Sequence, residues 1–139
     1  MELPYSIIEK QIKRGTIMHS TMFKNIDHGK FFVIIGVTDS YIAGFFFVNS
    51  NINVHLENKP KQFAMQYPMR KKDYAFLHHD SFLCATEIEQ ISRTELVQTM
   101  CDGITTIKGE MKSEHITELL ERARESGLFS KIEQKQFLY

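Results

Sequence analysis

The chain has 139 residues with 17 basic and 17 acidic side chains, so its formal net charge is zero. A neutral chain of this length is typical of one domain and does not hold nucleic acid through bulk charge alone. Apolar residues make up 42% of the composition, yet no apolar run approaches the ~18 residues that a membrane span requires. Composition therefore predicts a single domain over residues 1–139 and no contact with a membrane.

The charge is unevenly divided along the chain. Residues 1–72 hold ten Lys or Arg against five Asp or Glu, whereas residues 73–139 hold seven against twelve. Either the basic half forms a phosphate-attracting face opposite an acidic face, or the two signs of charge are mixed over the folded surface. The sequence leaves both alternatives open.

The N-terminal residues and the cysteines indicate the compartment. Met1–Pro4 lacks the basic region and apolar core of a signal peptide, so a cytoplasmic protein is expected. Cys84 and Cys101 lie among apolar residues without metal-ligand spacing, and we interpret both as inert, reduced core thiols. No cofactor or metal site is predicted, because the histidines also lack ligand spacing.

The first part of the chain predicts a buried hairpin. Residues 4–13 have isoleucines at a spacing compatible with a short helix or an arm, and a first strand is predicted over residues 16–23. A loop over residues 25–29 leads to two apolar runs, Phe31–Ile35 and Phe45–Val48. Runs this short, and this rich in aromatic and β-branched residues, predict paired strands that are covered on both faces.

A second pair of strands is predicted after the hairpin. Asn53–Leu56 alternates polar and apolar residues, and Gln62–Tyr67 can pair with it before Pro68 stops the strand. The segment 59–72 carries five basic residues and no acidic one, interleaved with aromatic rings. This segment either stacks on and neutralises a single-stranded nucleic acid or is an exposed, charged loop.

The second half of the chain predicts a core strand and then a helix. The strand is expected over Asp80–Thr86. Ser92 and Glu95 fit a capping box for a helix that runs to about Cys101. Residues 104–107 are interpreted as a short strand or an extended linker.

The clearest helix in the sequence follows. Ser113 is its predicted cap, apolar residues recur on one face, and Gly127 ends it. The tail, residues 128–139, is too apolar to be free. It is expected to pack on the domain or across a dimer.

Three segments resemble the MazF/PemK family of toxin endoribonucleases. Ile12–Ile17 is similar to the family's opening Lys-Arg-Gly-Asp-Val strand, and Gly29–Ile35 resembles its Arg-Pro-Val-Val-Ile-Ile strand. Asp80–Ser92 resembles its late Asp-Ser strand and Glu-Gln-Ile segment. The resemblance spans about residues 12–126 and leaves 128–139 as a C-terminal extension. It implies an α+β, mainly β fold: a small SH3-like β-barrel with a short helix after the late strand and a C-terminal amphipathic helix.

The resemblance also implies a metal-independent endoribonuclease that cleaves single-stranded RNA through attack of the ribose 2′-hydroxyl on the neighbouring phosphate. By position, the family's phosphate-binding Arg corresponds to Lys30 and its Thr to Asn49. Both side chains differ from the family's, since lysine holds phosphate only as a point charge and an amide exchanges no proton. Ser50 and His28 are the neighbouring hydroxyl and imidazole that supply acid–base chemistry in this hypothesis.

The predicted catalytic residues are therefore Lys30, His28, Ser50 and Asn49. The predicted substrate-binding residues are Arg14, Lys59, Lys61, Arg70, His79 and Ser81. The resemblance implies a homodimer, and an antitoxin-like protein that inserts a strand or a helix into the groove. The alternative is a catalytically silent barrel that binds a protein or a nucleic acid.

Overall fold

The computed structural model describes residues 5–24, 26 and 28–139. Residues 1–4, which carry the compartment prediction and the predicted start of the first helix, lie outside the described residues, as do Asn25 and Asp27 of the predicted loop. The elements are, in chain order, α1 (Tyr5–Lys10), β1 (Thr16–Ser20), β2 (Lys30–Val37), β3 (Ile42–Asn49), a 3₁₀ helix (Val54–Asn58), α2 (Pro60–Ala64), β4 (Gln66–Met69), β5 (Ser81–Cys84), β6 (Glu89–Ser92), α3 (Arg93–Cys101), β7 (Thr105–Glu110), α4 (Ser113–Glu125), α5 (Lys131–Glu133) and a π-helical turn (Gln134–Leu138).

The described strands form one antiparallel sheet. Its order is β4-β5-β3-β2-β1-β7, and β6 also pairs with β3. β3 has two partners on one side, because its first half pairs with β6 and its last residues pair with β5. The outermost strands, β4 and β7, do not pair with each other in the described residues. The predicted class, α+β and mainly β, is therefore confirmed, but the described sheet does not close into the predicted barrel.

Both faces of the hairpin formed by β2 and β3 are covered, as its apolar runs predicted. Successive side chains of a strand point to opposite faces. Phe32 and Ile34 therefore pack with residues of α1 and α3 on one face. Val33 and Ile35 pack with residues of α4 and the C-terminal tail on the other face. All four side chains are fully buried.

α3 and α4 follow the predicted helices closely. The Ser92 hydroxyl accepts a hydrogen bond from the Glu95 N–H at 3.1 Å, which confirms Ser92 as the N-cap of α3. α4 begins at Ser113, but its N-cap is Lys112, so the predicted cap was wrong by one residue. α4 ends before Gly127, whose φ of +75° is the left-handed conformation that terminates helices. None of the described helices combines the length and the apolar character needed to cross a bilayer.

The segment after β3 differs from the predicted strand pair. The Asn53 side chain accepts a hydrogen bond from the His55 N–H at 2.9 Å, and this contact begins a 3₁₀ helix where a strand was predicted. Pro60 is the first residue of α2, a position that suits a residue without an N–H. Only the end of the predicted Gln62–Tyr67 strand is therefore extended, and Pro68 lies within β4 instead of ending it.

Other strand predictions hold with shifted ends. The first strand stops at Ser20 instead of Phe23, since the Ser20 hydroxyl accepts a hydrogen bond from the Met22 N–H at 3.1 Å and the chain leaves the sheet. The predicted core strand is β5. Of residues 104–107, three belong to β7, so the strand interpretation is correct there.

The C-terminal tail folds back onto the chain's own sheet, which decides between its two predicted locations. Phe137 and Leu138 are buried, at 1% and 0% exposed. Gly36 and Gly44 lie opposite each other in the hairpin, and both are in contact with Phe137. A Cβ built on Gly44 would come within 2.5 Å of the Phe137 ring. Gly44 therefore leaves the space that the Phe137 ring fills, and Gly36 leaves space for the Phe137 backbone.

Two arginines hold the tail through its backbone. Arg14 donates hydrogen bonds of 2.7–3.0 Å to the carbonyl oxygens of Ile35, Phe137 and Tyr139. Arg124 donates a hydrogen bond of 2.6 Å to the carbonyl oxygen of Leu138. Burial lowers the pKa of the Arg14 guanidinium, and the charge of Arg124 lowers it further. An arginine stays protonated under such conditions, so both cations keep their hydrogen bonds.

Gly44→Ala is expected to lower the free energy of unfolding by about 1–3 kcal/mol, because the added methyl group collides with the Phe137 ring. Gly109→Ala is the matched control, since its built Cβ meets nothing closer than 3.8 Å and the glycine also lies in a strand. Urea denaturation of both variants measures the difference. Equal stability of the two variants would contradict the described packing.

Arg14→Met is expected to destabilise the fold by about 1.5–3 kcal/mol, the typical contribution of a hydrogen bond from a charged group. Arg122→Met serves as the control, because Arg122 pairs with Glu118 on the exposed surface, a contact that contributes under about 1 kcal/mol. Denaturation curves and RNA-binding titrations distinguish two roles for Arg14. Wild-type stability with a loss of RNA affinity would favour the substrate-binding role predicted from the sequence.

Candidate functional site

The end of the hairpin brings two of the predicted catalytic residues together. Phe32 pairs with Phe47, and the same register places Lys30 opposite Asn49. The Lys30 ammonium donates a hydrogen bond to the side-chain oxygen of Asn49. The Lys30 nitrogen also lies 5.8 Å from the centre of the Phe47 ring. The two positions that the resemblance marks as catalytic are therefore in contact.

A cleft of about 270 Å³ opens beside this pair. Along its length, β3 pairs first with β6 and then with β5. The cleft opens where β3 changes partner, and the residues that connect β5 to β6 lie at its rim. The cleft is lined by Ile26, Lys30, Phe47, Asn49, Cys84, Thr86, Glu87 and Glu89. These walls combine an ammonium group, two carboxylates, a thiol and a hydroxyl in one cavity. We call this cavity the Lys30 cleft.

Burial changes the proton affinity of two charged groups in the Lys30 cleft. Desolvation lowers the pKa of Lys30, and the nearby Cys84 acts in the opposite direction. Desolvation raises the pKa of Glu89, and the neighbouring Glu87 raises it further. Lys30 therefore releases a proton more readily, and Glu89 binds one more readily, than an exposed lysine or glutamate. Each shift moves the pKa towards neutral pH, the range in which an acid–base group works best.

The other two predicted catalytic residues, His28 and Ser50, lie outside this cavity. Both are exposed, and neither lines the Lys30 cleft. Ser50 follows the last residue of β3 and has left the sheet. The structure therefore brings together Lys30 and Asn49 but adds neither the imidazole nor the hydroxyl to them.

Cys84 lies in the wall of the Lys30 cleft. Its thiol is 3.3 Å from the Thr86 hydroxyl and accepts a hydrogen bond of 3.5 Å from the Gln66 side chain. Cys101, at the end of α3, is exposed, and neither cysteine forms a disulfide. The prediction of two core thiols was wrong, because a residue with apolar neighbours in sequence can still lie on the outer face of its own element.

The predicted nucleic-acid surface over residues 59–72 is divided by the fold. Its basic side chains are exposed: Lys59, Lys61, Arg70, Lys71 and Lys72. Phe63 is 46% exposed, but Tyr67 is only 6% exposed, and its hydroxyl donates a hydrogen bond of 3.0 Å to Glu118. Tyr67 therefore belongs to the core and cannot stack on a base. Lys61 lines a separate cavity of about 480 Å³ beside α4.

The remaining predicted substrate-binding residues make contacts within turns and with the tail. The buried Ser81 donates a hydrogen bond of 3.1 Å to the carbonyl oxygen of His79. The exposed His79 ring lies 3.0 Å from the carbonyl oxygen of Asp80. Arg14 is engaged with the C-terminal tail. None of these three side chains lines the Lys30 cleft, so their part in binding stays a prediction.

Sequence reasoning missed the two carboxylates of the Lys30 cleft. Glu89 reaches it because it pairs with Phe45 in β3, a contact between distant parts of the chain. One signal was present in the sequence: Glu87 and Glu89 flank Ile88, which is 6% exposed. Charged residues on both sides of a buried residue indicate side chains that point away from the core, and both carboxylates line the cleft. The strand that lies beside them could not be inferred from it.

In the described part of the chain, no group of three or more His, Cys, Asp or Glu side chains is placed to hold a metal ion. A comparison with protein-family models finds no match for this chain, and a comparison with curated proteins finds none either.

Proposed function

We propose that this protein is a MazF/PemK-like endoribonuclease that cleaves single-stranded RNA in the Lys30 cleft without a metal. The contact between Lys30 and Asn49, beside a cavity that also holds Glu89, carries this proposal. The resemblance expects a phosphate contact at Lys30 and a catalytic hydroxyl at Asn49. Glu89 supplies the acid–base group that the amide of Asn49 cannot provide.

The proposed reaction uses Glu89 as the base and Lys30 as the acid. The Glu89 carboxylate takes the proton of the ribose 2′-hydroxyl, and the 2′-oxygen forms a bond to the adjacent phosphorus. The Lys30 ammonium stabilises the negative charge that develops on the phosphate oxygens and gives a proton to the departing 5′-oxygen. The bond from phosphorus to that oxygen breaks, which leaves a 2′,3′-cyclic phosphate and a 5′-hydroxyl. Proton exchange with water then restores both side chains.

Asn49 is a positioning residue in this reaction. Its side-chain oxygen accepts the hydrogen bond from Lys30 and so fixes the ammonium at the end of the hairpin. Phe47 forms the adjacent apolar wall. Charges beside an apolar wall interact more strongly than they do in water, which increases the effect of Lys30 on a phosphate.

The resemblance also implies two protein partners. A second copy of the chain forms a homodimer, and an antitoxin-like protein inhibits the enzyme by inserting a strand or a helix into the groove. The Lys30 cleft is the part of the described surface where such an insertion would block the reaction.

A catalytically silent binding module is the second candidate, and the charges of the cleft favour it. Glu87 and Glu89 repel a phosphate group, and the Lys30 ammonium already has Asn49 as a partner. A cavity of this composition suits a protein partner that presents hydrogen-bond donors or a cation.

RNA cleavage by the purified protein, with a chelator present, tests the proposal. We expect wild-type protein to leave cyclic phosphate ends on a mixed single-stranded RNA, and Lys30→Ala and Glu89→Gln to react roughly 100-fold more slowly or worse, since each loses an acid or a base. Lys135→Ala and Glu121→Gln are matched controls, because both residues are exposed and lie outside the cleft.

Intact RNA at high protein concentration would contradict the proposed nuclease activity and favour the catalytically silent binding module. If His28→Ala lowered the cleavage rate as much as Lys30→Ala does, His28 would belong to the catalytic site.

The cleavage rate is expected to rise and then fall with pH. The rising limb reports ionisation of Glu89, and it lies at higher pH than for an exposed carboxyl because burial and Glu87 raise the pKa. The falling limb reports loss of the Lys30 proton, and it lies at lower pH than for an exposed lysine because burial lowers that pKa. Initial rates across pH measure both limbs. A rising limb that persists unchanged in the residual activity of Glu89→Gln would refute the assignment of the base.

A further inference from the structure

A second cavity of about 320 Å³ lies next to the Lys30 cleft on the same face of the sheet. Phe47 and Glu89 form part of both walls, so a ligand in one cavity lies beside the other. The second cavity is bounded by the connection between β1 and β2, which contributes Lys24, and by α3, which contributes Glu95. We call it the α3 cavity.

Aromatic rings form one wall of the α3 cavity. The centre of the Phe23 ring lies 4.9 Å from that of Phe47 and 5.9 Å from that of Phe45. Phe23 and Phe47 are half-buried, so part of each ring stays accessible. Accessible aromatic rings next to a cation that can hold a phosphate are a common platform for an unpaired base.

The polar side chains of the α3 cavity offer a specific set of hydrogen-bonding groups. The exposed carboxylate of Glu95 provides two acceptors, and the exposed ammonium of Lys24 provides donors. Thr99 is already engaged, because its hydroxyl donates a hydrogen bond of 2.7 Å to the carbonyl oxygen of Leu96. Glu89 and Gln90 also line the cavity, so the groups available to a ligand are the carboxylates of Glu95 and Glu89, the amide of Gln90 and the ammonium of Lys24.

Guanine is the RNA base that complements this set. It presents two adjacent donors, N1–H and the 2-amino group, which one carboxylate can accept together, and next to them the acceptor O6, which suits an ammonium. Cytosine and adenine each present a single amino group beside a ring-nitrogen acceptor, and uracil presents one N–H between two carbonyl oxygens. A carboxylate therefore makes two good hydrogen bonds with guanine and at most one with the other three.

We infer that the α3 cavity binds a guanine base of single-stranded RNA, with Glu95 on its Watson–Crick edge, Lys24 at O6 and the rings of Phe23 and Phe47 against the base. The inference rests on the proposed function, since it places this guanine beside the phosphate that Lys30 contacts. It adds a base preference to the proposed cleavage.

Binding of the four ribonucleoside monophosphates to the full chain tests the inference without requiring cleavage. We expect the guanosine monophosphate to bind roughly 10-fold or more tightly than the other three, since a two-bond contact to a base typically discriminates to that degree. Glu95→Gln should lose most of this preference, and Lys24→Met should weaken it. Glu121→Gln is the control, because it removes an exposed helical carboxylate outside the α3 cavity. Four equal affinities, or a preference unchanged in Glu95→Gln, would overturn the inference.

Cleavage of matched oligonucleotides separates the inference from the proposed function. Substrates that differ only in one guanine are compared in wild-type protein and in Glu95→Gln. A guanine preference in binding without any cleavage would support the α3 cavity and refute the nuclease. Cleavage at all bases alike, in both proteins, would support the nuclease and refute guanine recognition.

Discussion

Burial of the β2–β3 hairpin on both of its faces is the constraint on which the rest of the structure depends. One set of its side chains needs the cover of α1 and α3, and the other needs the cover of α4 and the tail. Helices of this length gain most of their stability from such packing and little from their own hydrogen bonds. The same constraint acts at atomic scale where Gly36 and Gly44 meet Phe137, since a side chain at either glycine would displace the tail.

The polar cleft begins where the apolar hairpin ends. Lys30 and Asn49 stand at the ends of paired strands, and the neighbouring pair of buried Phe32 and half-buried Phe47 fixes their positions. Keeping charges at the margin of the core costs free energy, which is visible in the lowered pKa of Lys30 and the raised pKa of Glu89. Charged groups with displaced pKa values on rigid strands are characteristic of sites that bind or react, and structural ion pairs produce such shifts as well. Lys30 is one such group, and the other, Glu89, lines the same cleft.

Short-range patterns of apolar and polar residues predicted some helices and strands correctly and failed for others. The hairpin was predicted from two short apolar runs and α4 from a regular helical periodicity, whereas the short alternation after β3 was outweighed by the Asn53 side chain and by Pro60, which favour helical turns. The same distinction applies to the site. Lys30 and Asn49 are neighbours because a hairpin joins them, so their proximity could be predicted from the sequence. Glu89 reaches the cleft through pairing between distant segments, and the register of that pairing is not encoded in any short stretch of sequence.

The outer strands of the sheet also determine how copies of this protein can meet. Pro68, in β4, has no backbone N–H to offer to an incoming strand. β7 carries the exposed Lys108 at a bulge, where its register with β1 shifts. Prolines, charged side chains and bulges on outer strands prevent sheets from joining edge to edge. A chain with no net charge lacks long-range repulsion between its copies, so at the edges of β4 and β7 these local features are what disfavours the addition of a strand from another copy.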